Sequence, residues 1–106
     1  LELLRNQGLT PIEKNFRRRC GELDLILKED QTIVFVEVRY RADSRWGDGL
    51  ASITRAKRQR LTRAAASWLK QHRAYRGFSC RFDAVSVTGP EADPKLKWIK
   101  SAFDAS

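Results

Sequence analysis

No apolar run in this chain approaches the roughly 20 residues that a membrane-spanning helix needs, and the apolar side of its long helix is needed for the core, so no membrane partner is expected. The first residues lack the form of a secretory signal, and the sparse cysteines read as those of a cytoplasmic protein. Cysteine is scarce: Cys20 and Cys80 are too few for a disulfide framework and do not have a metal-ligand spacing, so both are expected as reduced thiols. A single histidine, His72, leaves no room for a histidine-rich metal site. Acids are missing over a long internal stretch. Between Gly49 and Phe82 there is no Asp or Glu, while Arg55, Lys57, Arg58, Arg60, Arg63, Lys70, Arg73, Arg76 and Arg81 supply nine cations, more than the net charge of +8 on the whole chain. A field of one sign calls for a polyanion, and nucleic acid is the default partner. The plainer alternative is a solvated basic face that aids solubility.

What is present is concentrated in two strand-like runs. In Thr32-Ile33-Val34-Phe35-Val36-Glu37-Val38-Arg39 an acid and a base end an apolar run, with Glu37 and Arg39 on one face and Val36 and Val38 on the other. Charges in such a place are costly to bury without a partner or a task. Upstream, Gly21-Glu22-Leu23-Asp24-Leu25-Ile26-Leu27 repeats the pattern, with Glu22 and Asp24 on one face and three leucines on the other. The polar segment Lys28 to Thr32 reads as a hairpin connection. If Asp30 and Gln31 form its turn, Asp24 faces Glu37, Glu22 faces Arg39 and Ile26 faces Phe35; a one-residue slip would separate the two acids.

The length and the 42% apolar, 32% charged composition fit a single domain spanning 1–106 with one core. Leu1 to Gln7 reads as the end of a helix, with Leu1, Leu3 and Leu4 inward and Gly8 as terminator. The chain opens without Met, and the start of that helix is expected to precede Leu1. A short strand follows from Ile12 to Arg18, then the hairpin, then a polar loop from Arg41 to Asp48 that carries Arg45, Trp46 and Gly47. Trp46 suits either stacking on an exposed base or covering the core. Thr54 is a good N-cap for a helix from Arg55 to His72, whose inward stripe is Leu61, Ala64, Ala65, Trp68, Leu69 and His72. Lys57 falls at the N-terminal end of that stripe. Strands from Cys80 to Val87 and from Lys95 to Ile99 close the chain, with Phe103 docking the tail. The fold class is therefore α/β, a mixed sheet flanked by helices in the order helix, three strands, helix, two strands. The long crossover makes the third and fourth strands parallel.

Asp24 and Glu37, facing each other across a hairpin, offer hard oxygen ligands. Such a pair suits Mg²⁺ or Mn²⁺, which take one or two carboxylates together with waters and substrate phosphate oxygens. Arg39 would offset charge developing on a phosphoryl group. Glu22 is either an outer metal ligand or the cross-strand ion pair of Arg39. Lys57 either reaches this site or covers apolar surface with its stem while the ammonium meets solvent or phosphate. Arg17, Arg19, Arg41, Arg45, Arg55, Arg58 and Arg63 are the cations placed to meet nucleic acid. Asp83 is expected to pair with Arg81 or a neighbouring strand, and His72 to favour the helix C-terminus.

Several segments resemble the YraN-like family of small bacterial proteins: Asn15-Phe16-Arg17, Gly21-Glu22-Leu23-Asp24-Leu25-Ile26, Val34-Phe35-Val36-Glu37-Val38-Arg39 with Arg41, Lys57, the Leu61 to Leu69 helix, and Arg81-Phe82-Asp83-Ala84-Val85. The resemblance implies a restriction-endonuclease-like core of the PD-(D/E)xK type, related to archaeal Holliday-junction resolvases. In that scheme Asp24 matches the metal-binding aspartate and Glu37 the acidic member of the pair. Arg39 stands where the pattern has lysine, and arginine is too basic to serve as a general base. The acid on the family's first helix would fall before Leu1. Three functions remain open: a Mg²⁺- or Mn²⁺-dependent endonuclease on DNA, including branched DNA, for which a symmetric cut would require a homodimer; a nuclease-like protein that binds nucleic acid without cutting it; and a protein-interaction module with a basic face.

Overall fold

The structure, a computed structural model, describes residues 2–41, 54–90 and 92–103. Leu1 and the loop bearing Arg45, Trp46 and Gly47 lie outside these, as do the side chains of Leu3 and Arg41. Helix α1 (Glu2–Asn6) leads into strands β1 (Thr10–Arg18), β2 (Gly21–Glu29) and β3 (Thr32–Arg41); helix α2 (Arg55–Gln71) and a short 3-10 turn (Arg73–Tyr75) precede β4 (Ser79–Thr88) and β5 (Lys95–Phe103). The five strands form one mixed sheet in the order β1-β2-β3-β4-β5. Neighbours are antiparallel except β3 and β4, which are parallel and joined through α2 as the crossover requires. No helix among the described residues is long and apolar enough to cross a membrane.

The expected hairpin register holds where the strands pair. Ile26 faces Phe35, Leu25 faces Val36, and Glu29 faces Thr32 across the two-residue turn at Asp30 and Gln31. Asp30 takes a φ of +53°, a left-handed conformation that Asp tolerates better than most residues. Thr54 caps α2 as expected, accepting from the Lys57 amide at 3.1 Å. Gly8 ends α1 at a φ of +91°, the conformation for which glycine is used at helix ends. β1 begins at Thr10, two residues before the expected Ile12, and β5 runs on past Ile99 to Phe103.

Two apolar layers flank the sheet. On one face α2 packs Leu61, Ala64, Ala65 and Trp68 onto Phe16, Leu23, Ile26, Ile33, Phe35, Phe82 and Ala84. Phe35 meets Trp68 edge-on at 6.0 Å and stacks on Phe82 at 5.4 Å, while Phe103 stacks on Phe82 at 4.7 Å and docks the C-terminal strand. The opposite face gathers Leu4, Leu9, Leu27, Val34, Val36 and Val85. Simple alternation puts Leu23, Leu25 and Leu27 together. They divide instead, Leu23 on the α2 side and Leu25 with Leu27 on the other. The register sets Asn15 of β1 opposite Asp24, and Asn15 adopts a left-handed φ of +55°. A left-handed residue inside a strand breaks the two-residue alternation that the sequence pattern assumes.

A close approach sets the position of α2. At Gly21 an added Cβ would stand 2.5 Å from the Arg60 carbonyl oxygen, so only glycine lets the helix backbone come this near the start of β2.

One charged network is anchored on a fully buried acid. Asp83 is fully buried; its Oδ1 accepts from Arg81 Nε and the Ser101 amide, each at 3.0 Å, and its Oδ2 from Trp98 Nε1 at 2.9 Å. Arg81 reaches on to Glu29 of β2 at 2.6 Å, which holds the Glu29 carboxyl below its usual range; burial works against the guanidinium charge, but Asp83 and then Glu29 raise the Arg81 pKa overall. Both expected roles of Asp83, a pair with Arg81 and a link to the next strand, are present.

Candidate active site

The paired part of the β2–β3 hairpin ends at Leu25 and Val36. Beyond that rung the strands are bridged by a side chain, because Asp24 Oδ2 accepts from the Val38 amide at 2.8 Å. The carboxylate stands where a carbonyl of β2 would otherwise continue the ladder. Asp24→Asn retains an oxygen acceptor and is expected to cost under about 1 kcal/mol, whereas Asp24→Ala strands a part-buried amide at about 1–3 kcal/mol. Urea denaturation of the two variants measures the difference.

Glu37 follows on β3. It is almost wholly buried, its side chain 6% exposed, and it lies under the first turn of α2. Lys57 Nζ sits 2.7 Å from Glu37 Oε1, and Arg39, two residues along the same strand face, places Nη1 at 3.5 Å from the same oxygen. Burial pushes the Glu37 carboxyl above its usual range; Lys57 and Arg39 act against this, and the Asp24 charge adds to it. Of the two roles open to Lys57, the structure takes the one that reaches the site. Its position has a sequence signal beyond the apolar stripe. The first turn of α2 holds no acid but carries Arg55, Lys57 and Arg58, at the helix end where the dipole disfavours cations. Such a turn needs an anion beside it, and Glu37 is one.

The other expected residues divide. Glu22 does not meet Arg39. The β1–β2 register sets it opposite Arg17, and Arg17 Nη1 pairs with it at 2.6 Å on the surface. The hairpin opens before Glu22 could face Arg39, so the cross-strand pairing expected there does not form. Arg19, Arg55, Arg58 and Arg63 are exposed, as a surface for a polyanion requires. His72 caps α2 and stacks on Trp68 at 4.0 Å, a helix-end role. Alongside it, Glu13 accepts from Trp68 Nε1 at 3.1 Å. This β1-to-α2 tie escapes a reading of the sequence because Glu13 sits in a polar strand with no apolar pattern.

For a hard divalent ion the donor set is two carboxylates. The Val38 amide uses Asp24 Oδ2, and Lys57 and Arg39 address Glu37 Oε1. No group of three or more His, Cys, Asp or Glu is gathered among the described residues. Two carboxylates without sulfur or imidazole do not make a structural zinc site. Asp24 also borders a cleft of about 310 Å³ with Lys14, Asn15, Leu25, Val38 and Tyr40.

The model of the uncharacterised protein family UPF0102 matches residues 1–87, the stretch that contains every one of these groups. The chain belongs to this family. Among its UPF0102 relatives, one from Nitrosomonas europaea is 50% identical over 103 residues, covering 97% of this chain and 85% of its own length. One from Alkalilimnicola ehrlichii is 49% identical over 105 residues, covering 99% and 80%. A third, from Stutzerimonas stutzeri, is 42% identical over 105 residues, covering 99% and 88%. The YraN-like resemblance drawn from the motifs agrees with UPF0102 membership.

Proposed function

We propose that this protein is a metal-dependent nuclease of restriction-endonuclease-like fold, hydrolysing phosphodiester bonds in DNA. The observation that carries the reading is buried Glu37 held by Lys57 and Arg39, within electrostatic reach of Asp24, at the point where a hairpin opens beneath a helix that is basic in its first turn. The order of a three-stranded antiparallel unit, a crossover helix and a parallel fourth strand supports the same fold.

Asp24 and Glu37 would hold Mg²⁺ or Mn²⁺, whose chemistry is to polarise the phosphoryl group and make a bound water more acidic. The remaining work falls to the chain itself. The Val38 amide fixes the Asp24 carboxylate. Lys57, poised by the Thr54 cap, supplies a compact ammonium where Arg39 offers a planar guanidinium. Arg39 contributes charge toward the phosphate. The exposed cations Arg19, Arg55, Arg58 and Arg63 meet the backbone on either side.

One observation favours a second reading. Lys57 and Arg39 both address Glu37 Oε1, and an acid held by two cations also serves as a structural ion pair in a protein that binds nucleic acid without cutting it. A single panel separates the two. Linear, single-stranded and four-way-junction DNA are incubated with Mg²⁺ or Mn²⁺, with and without chelator. Cutting that requires the metal and is lost in Lys57→Ala supports the nuclease. Salt-dependent binding with no cutting of any substrate leaves the binding protein. Cutting that persists in excess chelator would sink the metal mechanism.

A further inference from the structure

The basic stretch of the sequence runs well past the acid cluster, and its far end forms a second feature. Where α2 gives way to the 3-10 turn, a cavity of about 380 Å³ is lined by Leu69, Lys70, Arg73, Tyr75, Arg76 and Phe78, together with Ala66 and Gly77. Its volume lies at the lower end of ligand-sized cavities. Three of the lining residues are cations and none is an acid. No ion pair among the described residues engages Lys70, Arg73 or Arg76, and all three are exposed. The walls between them are aromatic: Tyr75 stacks on Trp68 at 5.5 Å and Phe78 meets Tyr75 edge-on at 5.3 Å, while Lys28 places its ammonium 5.9 Å from the Phe78 ring.

We infer that this cavity is a second nucleic-acid contact, taking a backbone phosphate between Lys70, Arg73 and Arg76 with the adjoining nucleotide against Tyr75 and Phe78. The cations alone would suit any anion, and one or two of them at a helix C-terminus would satisfy its dipole. The aromatic walls tell against a fully hydrated small ion, because they offer it no match for its hydration shell. They suit a nucleotide, which joins a charge to a flat apolar ring, as in proteins that track a single strand. Lys70 lies thirteen residues from Lys57 on the same helix, roughly 20 Å along its axis, so this contact is separate from the acid cluster. Arg55, Thr62 and Ala66 recur at helical spacing along one flank of α2, and that flank runs from the first turn of the helix to the cavity, which Ala66 lines. The inference rests on the nucleic-acid reading above and extends its footprint.

Fluorescence anisotropy of the full chain with a labelled oligothymidine strand, titrated at several salt concentrations, tests it. Arg73→Gln combined with Arg76→Gln should weaken binding several-fold and lower the slope of log K against log salt by about 0.7 for each strand phosphate that is no longer neutralised. Lys95→Gln combined with Lys97→Gln removes the same net charge on β5. Lys95 pairs with Thr88, the end of β4 opposite the cavity, and this control should leave the slope at the parent value. Equal flattening by both pairs would reduce the cavity to a share of the general field and overturn the inference. An unchanged slope in the Arg73 and Arg76 variant, with the parent still binding, would overturn the cavity contact and leave the nucleic-acid reading standing. A parent with no salt-dependent binding would overturn both. Inorganic phosphate at matched ionic strength should displace the strand no better than chloride; stronger displacement would make this a free-phosphate site and overturn the assignment.

Discussion

Glu37→Gln should abolish metal-dependent cutting while making the folded protein more stable at neutral pH. The proposed ion loses one of its two carboxylates, and with it the charge that places it, so cleavage should fall by on the order of a hundredfold or more. Stability moves the other way because the buried carboxyl is held above its usual range, with desolvation as the largest cause. A raised folded-state pKa favours the protonated form. The stability associated with it is therefore fully present below the unfolded value of 4.5, and is lost as pH rises through the higher folded value. The glutamine variant is exempt from that loss and still offers Lys57 an oxygen. Melting curves in chelator should therefore converge near pH 4 and separate above it, with the variant higher. A variant that melts below the parent at pH 7 would mean that the Lys57 and Arg39 contacts outweigh desolvation. The site would then be a stabilising ion-pair cluster rather than one maintained against a folding cost.

Asp83→Ala should be the most damaging single change outside the apolar core. It leaves the Trp98 indole and the Ser101 amide without their acceptor and half-buried Arg81 with Glu29 alone, while Arg81 Nη2 already lacks a partner. Breaking a buried pair by removing one member costs about 3–5 kcal/mol, or roughly 12–20 °C in melting midpoint for a domain of this size. Asp83→Asn should be harmful too, since it turns an amide N–H toward groups that are themselves donors. The loss should concentrate at the edge strand: amide exchange in β5 should accelerate more than in β2 or β3. Uniform acceleration would show that Asp83 supports the whole sheet rather than its β4–β5 edge.

The hairpin is legible in the sequence because two independent signals agree: the parity of the apolar residues from Leu25 to Val36 and a polar connection of fitting length. The crossover follows from the length of the α2 pattern, and the N-cap from Thr54. Asp24 is legible as a special residue but not in its geometry. Its role as a bridge to the Val38 amide depends on where the ladder opens and on left-handed Asn15 in the neighbouring strand, and neither leaves a mark in a two-residue pattern. The pairing of Glu22 is misjudged for the same reason, since extending the β2–β3 register beyond Leu25 gives it Arg39 when β1 already supplies Arg17. The cavity at Lys70 to Phe78 stays hidden because its residues straddle a helix end, where periodicity stops carrying information.

The parallel pairing of β3 with β4 has a consequence for how the molecule assembles. The antiparallel β1-β2-β3 unit and the β4–β5 hairpin are both made of contacts between near neighbours in sequence, which form quickly. Joining them means closing the long loop that contains α2, the slow step for a parallel connection. Asp24 and Glu37 belong to the first unit, whereas Lys57 arrives with α2. The ammonium therefore reaches its carboxylate only when the helix settles against Gly21, where the gap between helix and strand backbones admits no side chain. A nascent or partly unfolded chain would carry both acids and Arg39 without Lys57. Any activity that depends on the three together is then withheld until the two halves of the sheet have joined.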